Sequence, residues 1–105
     1  MDRQRRIELF SLAAHRLAIT RLRANPPRIQ DIIGTLHRWR RQNGPSRSDP
    51  YSEQWERLLL EGVDAVEATI CVDTDAAATL RSCSPMGSLI TSAERLELLA
   101  ESRKL

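Results

Sequence analysis

The chain has 105 residues and a mass of 11.9 kDa, which is enough for one domain with a modest core. Hydrophobic residues make up 41% and charged residues 29%, which argues against intrinsic disorder, and an aromatic fraction of only 4% favours helices over sheets. The net charge of +2 is divided unevenly, because residues 1–48 carry +8 and residues 49–105 carry −6. Such a basic half can pair with the acidic half, recruit an acidic partner or contact nucleic acid.

Residues 3–24 are predicted to form one long amphipathic helix, because apolar residues recur at spacings of three and four with no glycine or proline. Its main apolar stripe consists of Ile7, Phe10, Ala14 and Leu17. A second apolar set lies off that stripe and comprises Leu9, Leu12 and Ile19, flanked by Arg5, Arg16 and Arg23. We expect this second set to face another helix or a partner protein, and the helix itself to stand apart from the body formed by residues 25–105.

The second helix is predicted to begin at Asn25 or Pro26 and to run to about Gln42, since proline suits a first helical turn. Its apolar seam predicts core positions at Ile29, Ile32, Leu36 and Trp39. Asn43-Gly44 can supply a left-handed termination, and residues 42–48 read as a loop.

Four further helices are predicted in the acidic half. Asp49-Pro50 begins the third helix, which ends at Gly62, and a short fourth helix ends near Cys71. Asp73-Thr74-Asp75 looks like a cap for a fifth helix over about residues 76–82. Thr91-Ser92-Ala93-Glu94 is a capping box for the last helix. The sequence therefore predicts a single all-α domain of five to six helices.

The sequence holds none of the motifs that typify enzymes or metal sites. It contains no glycine-rich phosphate loop and no G-x-S-x-G elbow, and the spacing of Cys71 and Cys83 matches no metal motif. His15 and His37 are expected to be partly exposed and without a chemical role. We therefore expect no enzymatic activity, no cofactor and no metal.

The run Arg38-Trp39-Arg40-Arg41 suggests nucleic-acid contact, because guanidinium groups neutralise phosphates and an aromatic ring can stack on a base. Trp39 also completes the apolar seam of its helix, which favours a core position instead. Contact of Arg38, Arg40 and Arg41 with operator DNA is therefore kept as an alternative.

Several motifs follow one another in a recognisable order from Asn25 onward. They are Asn25-Pro26, His37-Arg38-Trp39-Arg40, Trp55-Glu56-Arg57-Leu58-Leu59, Gly62 to Val66, Asp75 to Arg81, and Ser84-Pro85 followed by Leu89, Thr91, Glu94 and Arg95. In this order the chain resembles short bacterial antitoxin-like proteins encoded beside nucleotidyltransferase-like toxins of the abortive-infection type. The resemblance covers about 80 of the 105 residues. It departs from the family at Met86, where phenylalanine is common.

The resemblance implies a non-catalytic antitoxin that binds and neutralises a cognate toxin, by resemblance a nucleotidyltransferase. We expect the toxin-binding residues to lie on the first helix and in the Ser-Pro loop, where Met86 would project as an apolar plug. They are Arg5, Leu9, Leu12, Arg16, Ile19, Arg23, Ser84, Pro85 and Met86. The alternatives are a small DNA-binding regulator, a phage-encoded inhibitor of a host defence enzyme, and self-association as a homodimer.

No apolar run approaches the roughly 18 residues needed to span a membrane, and charged side chains interrupt any signal-peptide core. We therefore expect a cytoplasmic protein without a membrane partner.

Overall fold

A computed structural model describes residues 2–46 and 49–103. Over these ranges the chain forms six α-helices and one 3₁₀ helix without any strand, which confirms the predicted all-α class. The helices are α1 (Arg3–Ala24), α2 (Arg28–Asn43), α3 (Asp49–Glu61), α4 (Val63–Ile70), α5 (Asp75–Ser82) and α6 (Ser92–Ser102), and the 3₁₀ helix (Met86–Leu89) lies between α5 and α6.

The boundary between α1 and α2 lies slightly later than the prolines predict. The amides of Arg28 and Ile29 donate to the carbonyls of Asn25 and Pro26 at 3.0 and 3.1 Å, three residues back. Pro26 and Pro27 therefore form a tight turn, and α2 begins only at Arg28. At its other end Gly44 has a φ of 65°, the left-handed conformation expected from the sequence.

Two helix starts are fixed by threonine side chains. Thr91 accepts from the Glu94 amide and Glu94 accepts from the Thr91 amide, which confirms the predicted capping box. At α5 the cap is Thr74, whose Oγ1 accepts from the Ala77 amide at 3.1 Å. Asp73, which was also predicted to cap α5, instead pairs with Arg5 of α1.

Helix α1 is the centre of the fold and does not stand apart from it. It contacts α4, α5, α6 and the 3₁₀ helix, while α2 packs on α3 and α3 packs on α4. Trp55 of α3 is fully buried in the core, and its indole Nε1–H donates to the Leu80 carbonyl at 2.9 Å. The expectation of a detached first helix is therefore wrong, because its several apolar sides are covered by several neighbours.

The two oppositely charged halves of the chain pair with each other. Arg23 bridges Asp64 and Glu67 at 2.7 and 2.8 Å, and Arg40 contacts Glu56 at 3.3 Å. Arg5 pairs with Asp73 and Arg21 with Glu94, so every one of these bonds joins the basic half to the acidic half. Internal pairing is thus one use of the uneven charge, although it leaves other arginines unneutralised.

Candidate partner-binding site

The apolar residues predicted to face a partner from α1 mostly lie in the core. Ile19 is only 2% exposed and Leu12 is also buried, whereas Leu9 is half-buried. The prediction that Leu12 and Ile19 form an accessible docking surface is wrong. The reason is that α4, α5, α6 and the 3₁₀ helix together surround this side of α1.

The three arginines predicted to frame that surface have different surroundings. Arg5 and Arg23 are held by carboxylates of the acidic half, and the pairing raises the pKa of Arg23. The Arg5 guanidinium in turn lowers the pKa of the Asp73 carboxyl by hydrogen bonding and by charge. Arg16 is exposed and has no ion pair among the described residues. The three side chains therefore do not form one binding surface.

The Ser-Pro loop does not project outward as predicted. Met86 is 1% exposed and packs in the hydrophobic core, and Pro85 is buried beside it. The 3₁₀ helix turns Met86 inward, and the Ser84 Oγ accepts from the Met86 amide at 3.1 Å. Met86 is therefore a core residue and not an apolar plug for a partner.

Trp39 also lies in a different environment from the one that the sequence predicted. It is 38% exposed, because it lies in the last turns of α2 and lines an open cleft of about 490 Å³ instead of packing beneath a neighbouring helix. Arg38 donates to the Thr35 hydroxyl at 3.2 Å, Arg40 contacts Glu56, and Arg41 is exposed. Two of the three predicted nucleic-acid contacts, Arg38 and Arg40, are thus engaged within the fold.

An accessible apolar surface lies in a groove between α1 and α6, and not at the α1 residues for which the sequence predicted it. It has a volume of about 290 Å³, and we call it the basic groove. Its floor and rim are formed by Arg3, Arg6, Ile7, Phe10, Leu99, Ser102 and Arg103. Ile7 is 48% exposed and Phe10 is half-buried, so the apolar floor is open to solvent.

The antiparallel packing of α1 and α6 assembles this groove. Arg21 near the end of α1 pairs with Glu94 at the start of α6, while residues near the beginning of α1 meet Leu99 and Arg103 near the end of α6. Spacings of three and four place Arg3, Arg6, Ile7 and Phe10 on one face of α1. Within the described residues, none of the three rim arginines has a carboxylate partner.

Sequence reasoning missed the rim of the groove. The spacing of Arg3, Arg6 and Phe10 was a usable signal, because it puts two cations beside the apolar stripe of the same helix. Nothing in the sequence indicated that Arg103 would join them, since that depends on the direction in which α6 packs.

The histidines and cysteines form no metal centre in the described part of the chain, where no cluster of three metal-type ligands occurs. His37 Nε2 lies 3.0 Å from Glu56 Oε1. His15 is buried, contrary to the expected partial exposure, and burial lowers its pKa. Cys71 and Cys83 are free thiols whose pKa values burial raises, which makes both poor nucleophiles.

The fold and the basic groove define the class of this protein, because comparisons with known proteins found no match. No known protein family, curated protein or solved structure matches the chain. Among its described residues, no helix has both the length and the apolar character to cross a bilayer. The class is therefore a small helical domain with an open, arginine-rimmed apolar groove.

Proposed function

We propose that this chain is an antitoxin-like protein that binds and neutralises a cognate toxin through the basic groove, without catalysis of its own. The observation that carries the proposal is the rim of the groove. Arg5, Arg21 and Arg23 on the same helix are all paired with acidic residues of the chain, whereas Arg3 and Arg6 have no carboxylate partner among the described residues. Unneutralised cations around an exposed apolar floor suit a partner that supplies both apolar and acidic groups.

The partner segment that fits this chemistry best is an acidic amphipathic helix. Its apolar side chain would cover Ile7 and Phe10 on the floor, as in helix-in-groove recognition. Its carboxylates would accept hydrogen bonds from Arg3, Arg6 and Arg103, and arginine forms such bonds in bidentate geometry. A second copy of the chain fits less well, because a symmetric contact would bring the same cations together.

The order of motifs supports a toxin as that partner, because the chain resembles antitoxin-like proteins encoded beside nucleotidyltransferase-like toxins. Neutralisation would be steric and electrostatic, with the bound toxin segment held away from its substrate. The surface now proposed replaces Leu12, Ile19 and Met86, whose side chains are buried in the free protein.

The proposal is tested by co-expressing the chain with the product of the adjacent gene. Arg6→Glu and Ile7→Asp should each prevent co-purification and restore the toxic effect on growth. Arg16→Glu is the matched charge control, since Arg16 is an exposed arginine of α1 without an ion pair in the described ranges. Leu60→Asp is the matched apolar control, since Leu60 is 67% exposed on α3, outside the groove.

Two results would overturn the proposal. One is a stable complex that Arg6→Glu and Ile7→Asp leave intact. The other is a dimer of the isolated chain that dissociates in Ile7→Asp, because the groove would then be occupied by a second copy. Sedimentation of the wild-type chain and the two variants distinguishes these cases.

The second candidate function is nucleic-acid binding, which the exposure of Trp39 favours. An exposed indole between Arg38 and Arg41 combines a stacking surface with cations for phosphates. Charge removal in Arg38→Gln and Arg41→Gln should then weaken DNA binding and reduce its salt dependence by about one unit of slope per lost contact. Unchanged binding in both variants, or no binding by the wild type, removes this candidate.

A further inference from the structure

A second cavity, smaller than the basic groove, lies between α1, α5, α6 and the 3₁₀ helix. Its volume is about 170 Å³, and we call it the cationic cavity. Its polar lining consists of Ser11, His15, Arg81, Ser84 and Arg95. The rest of the wall is apolar or glycine, so no acidic side chain lines the cavity.

Arg81 is the most unusual of these residues, because it is only 4% exposed and has no carboxylate partner in the described part of the chain. Its Nη1 donates to the carbonyls of Ile70 and Val72 at 2.7 and 2.9 Å. Its Nε has no hydrogen-bond partner in the ranges that the structure describes. A buried guanidinium is normally compensated by an anion, and its desolvation lowers the pKa of Arg81.

His15 lines the cavity, and its hydrogen bond defines the tautomer of the neutral ring. Its Nδ1 lies 2.7 Å from the Ser11 carbonyl, which can only accept, so Nδ1 carries the hydrogen and donates. In the neutral ring Nε2 is then an acceptor, and it has no hydrogen-bond partner among the described residues. The charged groups that face His15 are Arg81 from α5 and Arg95 from α6, and both disfavour a second proton on the ring.

Two of the three remaining polar residues, Ser84 and Arg95, have hydrogen-bond donors that the fold does not use. The Ser84 Oγ accepts from the Met86 amide, which leaves its hydroxyl hydrogen free to donate into the cavity. Arg95 donates from Nη2 to the Gly87 carbonyl at 3.2 Å, which occupies one of its five N–H groups. The described lining of the cavity therefore gathers two guanidinium groups, two hydroxyls and one imidazole without a carboxylate, and the nearest negative charges that act on Arg81 are Asp73 and Glu8 outside that lining.

We propose that the cationic cavity binds a small tetrahedral oxyanion, such as inorganic phosphate or the phosphate group of a monoester. Arg81, Arg95 and Ser84 donate to the oxyanion, and His15 donates to it from Nε2 once that nitrogen has taken up a proton. Anion binding therefore draws one proton from solvent and is tighter at lower pH. The site goes beyond the proposed function, because it shares no lining residue with the basic groove.

Sulfate is the first probe, because its charge does not change over the range in which histidine titrates. Titration of sulfate into the full chain is followed by calorimetry and by the NMR signals of the His15 ring, with chloride at equal ionic strength as the blank. We expect saturable binding that is several-fold tighter at about pH 6 than at about pH 8, and a raised pKa of His15 in the complex. The affinities for phosphate and AMP are then compared. Tighter binding of phosphate identifies a free ion as the ligand, and tighter binding of AMP identifies a phosphate monoester.

Variants separate a specific site from a general effect of positive charge. Arg95→Gln should weaken sulfate binding about tenfold or more, whereas Arg57→Gln removes the same charge from an exposed position on α3 and should not. His15→Gln should abolish the pH dependence while binding at about pH 8 persists. Arg95→Lys retains the charge and shows by partial recovery that Arg95→Gln has not simply disturbed the fold.

Two results would overturn the site. One is the absence of saturable binding, with unmoved His15 signals. The other is equal weakening by Arg95→Gln and Arg57→Gln. Neither result bears on the basic groove, whose variants at Arg6 and Ile7 leave the cationic cavity unaltered.

Discussion

The carboxylate of Glu94 accepts hydrogen bonds both from the N-cap of its own helix and from helix α1. Its Oε1 accepts from the Thr91 amide at 2.9 Å at the start of α6 and from Arg21 Nη1 of α1 at 3.2 Å. Hydrogen bonds from Thr91 and then from Arg21 hold the pKa of Glu94 below its usual range. One side chain therefore fixes both the beginning of α6 and the packing of α6 along α1, which creates the basic groove.

Thr91→Ala tests the capping box directly. The substitution removes the acceptor for the Glu94 amide, and it should lower the free energy of unfolding by about 0.5–2 kcal/mol. Urea denaturation measures the loss. Ser92→Ala, one residue later and without a capping bond, is the control and should stay close to wild type. An equal effect of the two changes would mean that the box contributes no stability.

His15 predicts a pH dependence of stability. Because its pKa in the folded protein is lowered from 6.5, the unfolded chain binds more protons at mildly acidic pH. The neutral imidazole contributes its full stability above about pH 6.5, and that stability is lost as pH falls toward the lowered pKa. Thermal melts in chloride buffers free of phosphate and sulfate should therefore shift downward on mild acidification. His15→Gln should flatten this slope, and a slope unchanged in His15→Gln would contradict the account.

The two tryptophans predict opposite mutational effects. Trp55→Ala should cost about 3–5 kcal/mol, because it empties a fully buried site and removes the donor to the Leu80 carbonyl. Trp39→Ala should cost far less, because Trp39 borders an open cleft. Chemical denaturation of both variants checks the difference. Similar losses would place Trp39 in the core, as its apolar seam had suggested.

The seam of α2 allows a graded test of the core. Leu36→Asp should unfold the domain, since it places an unpaired charge at a position that is 1% exposed. Ile29→Asp should be milder than the sequence alone suggests, because Ile29 is only partly buried. Leu60→Asp on α3 should be close to neutral. Circular dichroism and thermal melts rank the three, and any other order would mean that these faces are assigned wrongly.

Helix content and most boundaries were predictable because they depend on local chemistry. The prolines at 26 and 27, Gly44 and the Thr91 capping box act within a few residues of themselves. The all-α class followed from the periodicity of apolar residues for the same reason.

The binding surface was not predictable, because it depends on which helices pack together. Helix α1 has apolar residues on several sides, and its sequence does not say which side stays open when α4, α5 and α6 surround it. Arg5 pairs with Asp73, which is 68 positions later in the sequence. The charge of Arg5 is therefore neutralised by a residue that no local sequence pattern connects to it. His15 and Arg81 meet in one cavity for the same topological reason.

The central claim is that the toxin docks on the basic groove, and the affinity of two arginine variants tests it most directly. Calorimetry with the purified product of the adjacent gene compares Arg6→Glu with Arg16→Glu, which carry the same change of charge on the same helix. Since Arg6 lines the groove and Arg16 does not, we expect Arg6→Glu to weaken binding by about tenfold or more and Arg16→Glu to leave it within about twofold. Equal affinities for the two variants would contradict docking at the groove.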